Sequence, residues 1–358
     1  MLDVCRNARA NGLDLTFVAT GGGDLENEFR DSGVDFIRLK RKLPVDLATA
    51  LELRRIITER GIQVMHSHQP VEALHLYLAT RGSSTKKALT LHGVYPGTKN
   101  ELALRFVLPR MDARIAVSRN LLQELKGNQT LAGANCFLIN NGVDPARLQS
   151  SGRKLRGELG LTDDELLLGM VGNFQPVAQK DQLTVCRALP AIFNRFPRAH
   201  FAFAGARSAA APDLFDKCVE LCRQQGIGDR VHFVGKRTDV ADVLASLDIF
   251  VLSSLREGSP ISVIEAMMAG VPTVLSDIPA LREISNEGEH AALFRTGDAD
   301  DLAAKLIALV TDEGERQRFA PGARQWVLEH FGIDRHIADL VRLYDSLVSS
   351  DALPLANG

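Results

Sequence analysis

The stretch Leu252-Ser-Ser-Leu-Arg-Glu257-Gly-Ser-Pro-Ile-Ser-Val-Ile-Glu265-Ala-Met-Met-Ala-Gly270-Val-Pro decides how this chain folds. The apolar run Ile249–Leu252 reads as a strand, Gly258-Ser-Pro as a turn, and Ile261 as the start of a helix that Gly270 and the following Pro bring to an end. A further β-rich run, Thr273–Leu275, comes next. Strand, turn, helix and strand in so short a span form a βαβ unit, and its crossover implies a parallel sheet. Glu257 and Glu265 bracket the turn with seven residues between them, so both carboxylates can face the crevice at the carboxyl end of that sheet. The amides at such a helix start point outward unpaired, with the positive end of the dipole behind them, which suits a phosphate. One Glu alone reads as a helix cap or the partner of a surface base. Two around a Gly-Ser-Pro turn read as a site.

The same rhythm runs outward in both directions. Strands are expected at Leu15–Ala19, Val34–Leu39, Gln63–His66, Ala88–Leu91, Arg114–Val117 and Phe137–Asn140, then at Leu166–Val171, His200–Ala204, Arg230–Val234, Ile249–Leu252, Thr273–Leu275 and Ala291–Phe294. Six strands per half, in a chain of 358 residues, imply two similar α/β domains, 1–148 and 149–332. They join near Asn141–Gly152, where Asn-Gly, Asp-Pro and Ser-Ser-Gly break the pattern. A last helix, 333–350, carries Ile333, Ile337, Leu340, Leu343 and Tyr344 at helical spacing and has no strand after it, so it is expected to pack back on the first domain. The tail Asp351–Gly358 is expected to fray. The first domain opens on a helix, Leu2–Arg9, where a doubly wound domain opens on a strand. Either its sheet lacks a central strand, or the natural start lies roughly fifteen to twenty residues earlier.

Hydrophobic residues at 45% and charged residues at 24% match a soluble globular chain, and no apolar run is long enough for a membrane span. Met1-Leu-Asp-Val-Cys-Arg is not a secretory signal, so a cytosolic chain is expected. Five scattered cysteines form no disulfide framework, and Cys218 and Cys222, four apart on an expected helix, read as buried thiols. The net charge of −2 divides unevenly. Residues 1–150 carry 20 Lys and Arg against 15 Asp and Glu, leaving 22 against 29 for the rest. Arg38, Lys40, Arg41 and Lys42, followed by Arg54, Arg55 and Arg60, account for part of the basic excess. A solvated face is the plain reading; peripheral attraction to an anionic membrane surface or acceptor is the functional one.

The Glu257 to Glu265 segment resembles the Glu-x7-Glu motif of retaining glycosyltransferases of family 4. Asn141-Gly142-Val143-Asp144 and Gly297-Asp-Ala-Asp-Asp-Leu-Ala resemble two further family signatures. The resemblance implies the GT-B architecture, two facing Rossmann-like domains, with a nucleoside diphosphate sugar as donor, for instance of UDP, and no other cofactor. It implies that Glu265 accepts hydrogen bonds from the donor ribose and that Glu257 lies beside the transferred sugar. Gly258, Ser259, Ile261 and Ser262 would supply amides or hydroxyls to sugar and diphosphate. The family holds the diphosphate with an Arg after the Gly of the second domain's first strand and a Lys about six residues on. Here Gly172 is followed by Asn173, and Lys180 matches the Lys. Arg207 or Arg237 is the candidate substitute for the missing cation.

In the first domain, His92 before Gly93 ends a strand and resembles the family's crevice histidine. His66-Ser-His68 ends another strand. Alternation puts both rings on one side, and His68 is the candidate ligand contact. Gly21-Gly-Gly23 lacks the full dinucleotide fingerprint. Asp298-Ala-Asp300 has the letters of a metal motif but the context of a helix N-cap, so no metal is expected. The implied activity is transfer of a hexose or N-acetylhexosamine to a glycan or lipid-linked hydroxyl in cell-surface polysaccharide or lipopolysaccharide synthesis. The alternatives are a nucleotide-sugar epimerase of the same form and a non-catalytic nucleotide-sugar-binding relative; no nucleic-acid partner is expected.

Overall fold

The computed structural model describes residues 1–93, 95, 97–127, 135–175, 179–208 and 211–349, so the tail expected to fray lies outside them. The chain divides into two units, Met1–Gly142 with the segment from Phe331 onward, and Val143–His330. The division falls at Gly142 rather than at 148, because the linker is bonded into the second unit. Ser150 Oγ, Ser151 N and Ser151 Oγ donate to the Asp242 carboxylate at 2.7, 2.7 and 2.8 Å. These bonds hold the Asp242 carboxyl well below the usual carboxylate range.

Each expected strand forms. The first unit holds β1 (Thr16–Ala19), β2 (Asp35–Arg38), β3 (Val64–Ser67), β4 (Lys86–Leu91), β5 (Ala113–Ala116) and β6 (Cys136–Leu138). The second holds β7 (Leu166–Val171), β8 (Ala199–Ala204), β9 (Val231–Gly235), β10 (Ile249–Leu252), β11 (Thr273–Ser276) and β12 (Ala292–Phe294). In the second unit they form one parallel sheet in the order β12-β11-β10-β7-β8-β9. Strands covered on both faces read as continuous apolar runs, and β10 and β11 are buried throughout. Phe203 of β8 packs against Phe201 and Phe233 with ring centroids 4.6 and 5.2 Å away. The helix Gln182–Arg195 starts at Asp181, whose side chain accepts from Thr184 N at 3.1 Å. Asp298 caps the helix Ala299–Thr311 in the same way, accepting from Asp301 N at 2.9 Å, as its sequence context suggests. Cys218 and Cys222 are fully buried thiols, with Cys186 beside them.

The first unit's sheet is split. β1 pairs only with β2, while β3, β4, β5 and β6 form a separate parallel sheet in that order. In the second unit β7 sits between β8 and β10. The corresponding place in the first unit, between β1 and β3, holds no strand among the described residues. The two pieces are joined instead by packing: Val18 and Ile37 share an apolar cluster with Met65, Leu53, Ile56 and Ile57. Within the described residues the first unit therefore keeps a gap between β1 and β3. The C-terminal helix, Ile333–Ser349, packs with Leu340 and Leu343 on Ala88, Ala113, Ile115 and Ile139, and Ile333 and Ile337 on Val4. Among the described residues no helix is long and apolar enough to cross a membrane.

Candidate functional site

In the second unit, the loops after β7, β8, β9 and β10 enclose a cavity of about 450 Å³ at the carboxyl ends of the strands. Its lining includes Gly172, Asn173, Lys180, Arg237, Glu257, Ile261, Ser262 and Glu265, which the sequence reading singled out. Two glycines make it possible. A Cβ at Gly205 would lie 2.1 Å from the Gly172 carbonyl oxygen, so the loops after β7 and β8 approach at backbone distance. A Cβ at Gly172 would lie 2.6 Å from Lys180 Cδ, so the lysine's alkyl chain crosses the space a side chain would fill.

Lys180 is held from both ends. Its backbone bridges to Ser254, and its Nζ donates to Glu257 Oε1 at 2.8 Å. Ser254 Oγ donates to the same oxygen at 2.9 Å. Glu257 is thus a partner of Lys180 rather than a helix cap, and the helix Ile261–Met268 begins at Pro260 with no side-chain cap. Its first-turn amides keep the polarity that favours an anion. Glu265 lies in this helix with its side chain only 8% exposed, and Arg147 donates a hydrogen bond to its Oε1. Arg147 was missed in the sequence. It sits in the short 3-10 turn Pro145–Leu148, which Asp144 caps by accepting from Ala146 N at 2.8 Å. The Asn-Gly-Val-Asp signature just before it was the signal that could have found it.

Asn173 does not supply a cation. Its Oδ1 accepts from Ala206 N at 2.8 Å and so ties the β7 loop to the β8 loop. Of the two substitute arginines, Arg237 lines the cavity, but Glu158 and Asp239 grip its guanidinium at 2.6 to 3.0 Å and raise its already high pKa. Arg207 pairs with Asp216 at 2.6 Å and does not line the cavity, which corrects its candidacy as the substitute cation. Lys236, beside Arg237, does line it. Gly258 and Ser259 are buried and do not line it either: the turn folds inward, and Pro260, Ile261 and Ser262 reach the cavity in their place.

The first unit brings three of its histidines, His66, His68 and His92, together at the carboxyl ends of β3 and β4. The rings of His66 and His68 stack with centroids 4.5 Å apart, and those of His68 and His92 at 5.3 Å. His68 Nδ1 lies 3.0 Å from His92 Nε2, so one ring donates to the other. His66 is bonded on both nitrogens, to Tyr344 Oη at 2.5 Å and Thr90 Oγ1 at 2.7 Å, which makes it a structural residue tying β3 and β4 to the C-terminal helix. Desolvation lowers all three imidazoles from their ordinary range, His66 to about 3, with positive neighbours acting in the same direction. They are therefore neutral at pH 7, able to accept as well as donate hydrogen bonds.

Residues 1–147 match the family model described as Glycosyltransferase Family 4, and residues 165–312 the model described as Glycosyl transferases group 1. The chain is 26% identical over 324 residues to N-acetyl-alpha-D-glucosaminyl L-malate synthase of Bacillus anthracis, covering 86% of this chain and 81% of that protein. It is equally identical, 26% over 324 residues, to phosphatidyl-myo-inositol mannosyltransferase of Mycobacterium leprae (strain TN), covering 86% and 80%. The crystal structure of Anabaena Alr3699/HepE in complex with UDP and glucose superposes with a TM-score of 0.81 at 17% identity, covering 96% of each chain.

Proposed function

Because this chain belongs to the family 4 glycosyltransferases and has their two Rossmann-like domains of GT-B type, we propose that it moves a hexose or N-acetylhexosamine from a nucleoside diphosphate sugar, with retention, to a hydroxyl of a glycan or lipid-linked acceptor. The pathway would be assembly of a cell-surface polysaccharide or lipopolysaccharide. One observation carries this reading: a single cavity at the carboxyl end of the second sheet collects Lys180, Glu257, Glu265 and an uncapped helix start. Those are a cation and open amides for a diphosphate, and a carboxylate for a ribose diol. UDP is the donor nucleotide we favour, because the similar Anabaena protein was solved with it. A lipid-linked acceptor is supported by the similar mycobacterial protein, whose name places its acceptor in a phosphatidyl-inositol.

In the reaction the bond between the anomeric carbon and the diphosphate oxygen breaks, and the acceptor oxygen bonds to that carbon from the same face. The acceptor proton goes to the departing phosphate oxygen. Lys180 and the amides at Ile261 and Ser262 stabilise the charge that grows on the diphosphate. Glu265 fixes the nucleoside, and Glu257 orients Lys180 beside the sugar. His92, neutral, offers a hydrogen bond on the acceptor side. The test is incubation with radiolabelled UDP-sugars, with and without a lipid extract, followed by NMR of the product anomer. Label transferred with the donor's α configuration supports the reading. Epimerised donor in the absence of any acceptor, or donor binding with no turnover under any acceptor, would replace it.

A further inference from the structure

A diphosphate brings more than one negative charge into a cavity, and one cation already facing a carboxylate does not balance it. In the cavity of the second unit, Lys180 faces Glu257 and Arg147 faces Glu265, so neither pair adds net charge. Arg237 is matched twice over. Glu158 accepts from two of its N–H groups at 2.7 and 3.0 Å, Asp239 accepts from two more at 2.6 and 2.8 Å, and the side chain is only 19% exposed. One guanidinium between two carboxylates leaves that corner with an excess of one negative charge. Lys236, the residue before Arg237, is exposed, lines the same cavity and carries the charge that offsets the excess.

The backbone around Lys236 is anchored on both sides. Gly235, at the end of β9 with φ at +70°, accepts through its carbonyl from Gly205 N at 2.8 Å, and Gly205 lies against the Gly172 carbonyl. These three glycines bring the loops after β7, β8 and β9 to backbone distance, so Lys180 and Lys236 open onto one cavity from strands far apart in sequence. On the other side of Lys236, the bonds of Arg237 to Glu158 and Asp239 fix the chain. A lysine on so anchored a backbone meets a ligand by ordering only its own side chain, which keeps the entropy cost of the contact small. Asn173 is uncharged, with its Oδ1 engaged by Ala206 N, and Arg207 lies outside the cavity.

We propose that Lys236 is the second cation on the donor diphosphate, beside Lys180, and that the phosphates and not the nucleoside meet its charge. The proposal rests on the reading of this cavity as a nucleoside diphosphate site. The test is calorimetric titration of the full chain with UDP, UMP, uridine and inorganic pyrophosphate. Lys236→Gln should weaken UDP about tenfold and UMP about threefold while leaving uridine unchanged, and Lys236→Arg should bring UDP back to within about twofold of wild type. Raising the salt concentration should narrow the difference between wild type and Lys236→Gln, because the contact is ionic. Lys305→Gln, at an exposed position of the helix Ala299–Thr311 that does not line the cavity, should change none of the four affinities. Position 236 is exposed, so melting temperature should hold in each variant. Equal losses for UDP and uridine would make Lys236 a nucleoside contact, and an unchanged UDP affinity would make it a bystander. Failure of the arginine variant to restore UDP would show that charge is not what the ligand meets. Each of these results overturns the proposal. Pyrophosphate separates it from the reading beneath it, since Lys236→Gln should weaken pyrophosphate about tenfold as well. A wild type that binds pyrophosphate but not UDP would sink the UDP reading and leave Lys236 to be decided by the pyrophosphate titration; a wild type that binds neither overturns both.

Discussion

Lys180 and Glu257 are opposite charges in one cavity, 77 residues apart in sequence and 2.8 Å apart in space. Their pairing keeps the lysine extended along Gly172, at the place where a diphosphate would develop charge. Lys180→Ala should therefore lower kcat about a hundredfold with little change in KM, measured by UDP release. Glu265→Gln keeps the shape but weakens the acceptor and strands Arg147; it should raise the donor KM about tenfold and leave kcat nearly unchanged. A wild-type kcat in the first variant would remove Lys180 from the reaction. The histidines make a different prediction. His66, His68 and His92 have folded pKa values below the unfolded value near 6.5, so the folded state binds fewer protons than the unfolded one. Their contribution is fully present above about pH 6.5 and is lost as pH falls through the window from there toward about 3, where His66 titrates in the folded state, with a slope of at most about 1.4 kcal/mol per pH unit for each group. Melting temperature should thus drop between pH 7 and 5, and His66→Gln should flatten that drop; an unchanged slope in this variant would assign it to other groups.

At the scale of elements, the twelve strands were legible because strands in doubly covered parallel sheets are short continuous apolar runs with turn signals between them. Their ends shifted by a residue or two, since the last ladder bond depends on the neighbouring strand and not on the run itself. The split between β1 and β3 shows what pattern cannot do alone. The opening helix hinted at it, but only pairing shows which edges are left open. The burial of the strands agrees: β1 is half-exposed along its whole length and β3 nearly so, whereas β8 and β10, which flank the filled position in the other sheet, are almost entirely buried. Amides of β1 and β3 that face the gap should accordingly exchange with deuterium faster than those of β8 and β10 by several orders of magnitude. Equal protection in all four strands would mean that the gap is closed in solution.

At the scale of the molecule, the chain leaves its first unit at Gly142 and returns to it at Phe331. The C-terminal helix covers Ala88, Ile115 and Ile139 and donates Tyr344 to His66. Deleting residues 333–349 would expose that apolar face and unbond a half-buried imidazole. The expected outcome is loss of cooperative unfolding for the first unit, while the second, with its own complete sheet, keeps its transition; calorimetry distinguishes the two, and an unaltered first transition would show the helix to be dispensable.

Fold class, the place of the β10 turn and helix, and the candidacy of Glu257 and Glu265 follow from local pattern, because periodicity, turns and caps act over a few residues; Lys180 was a candidate only through the family resemblance. What each charged group meets does not, because pairing is decided by which loops the sheet order brings together. Arg147 reaches Glu265 across 118 residues of sequence, Asn173 turns out to be a tie between loops instead of a weakened cation, and Arg38, Arg41 and Arg60 spend their charge on nearby carboxylates. The basic surplus of the first half was visible by counting; that Glu26, Asp35 and Glu72 take up Arg38, Arg60 and Arg41 depends on the packing of segments distant in sequence.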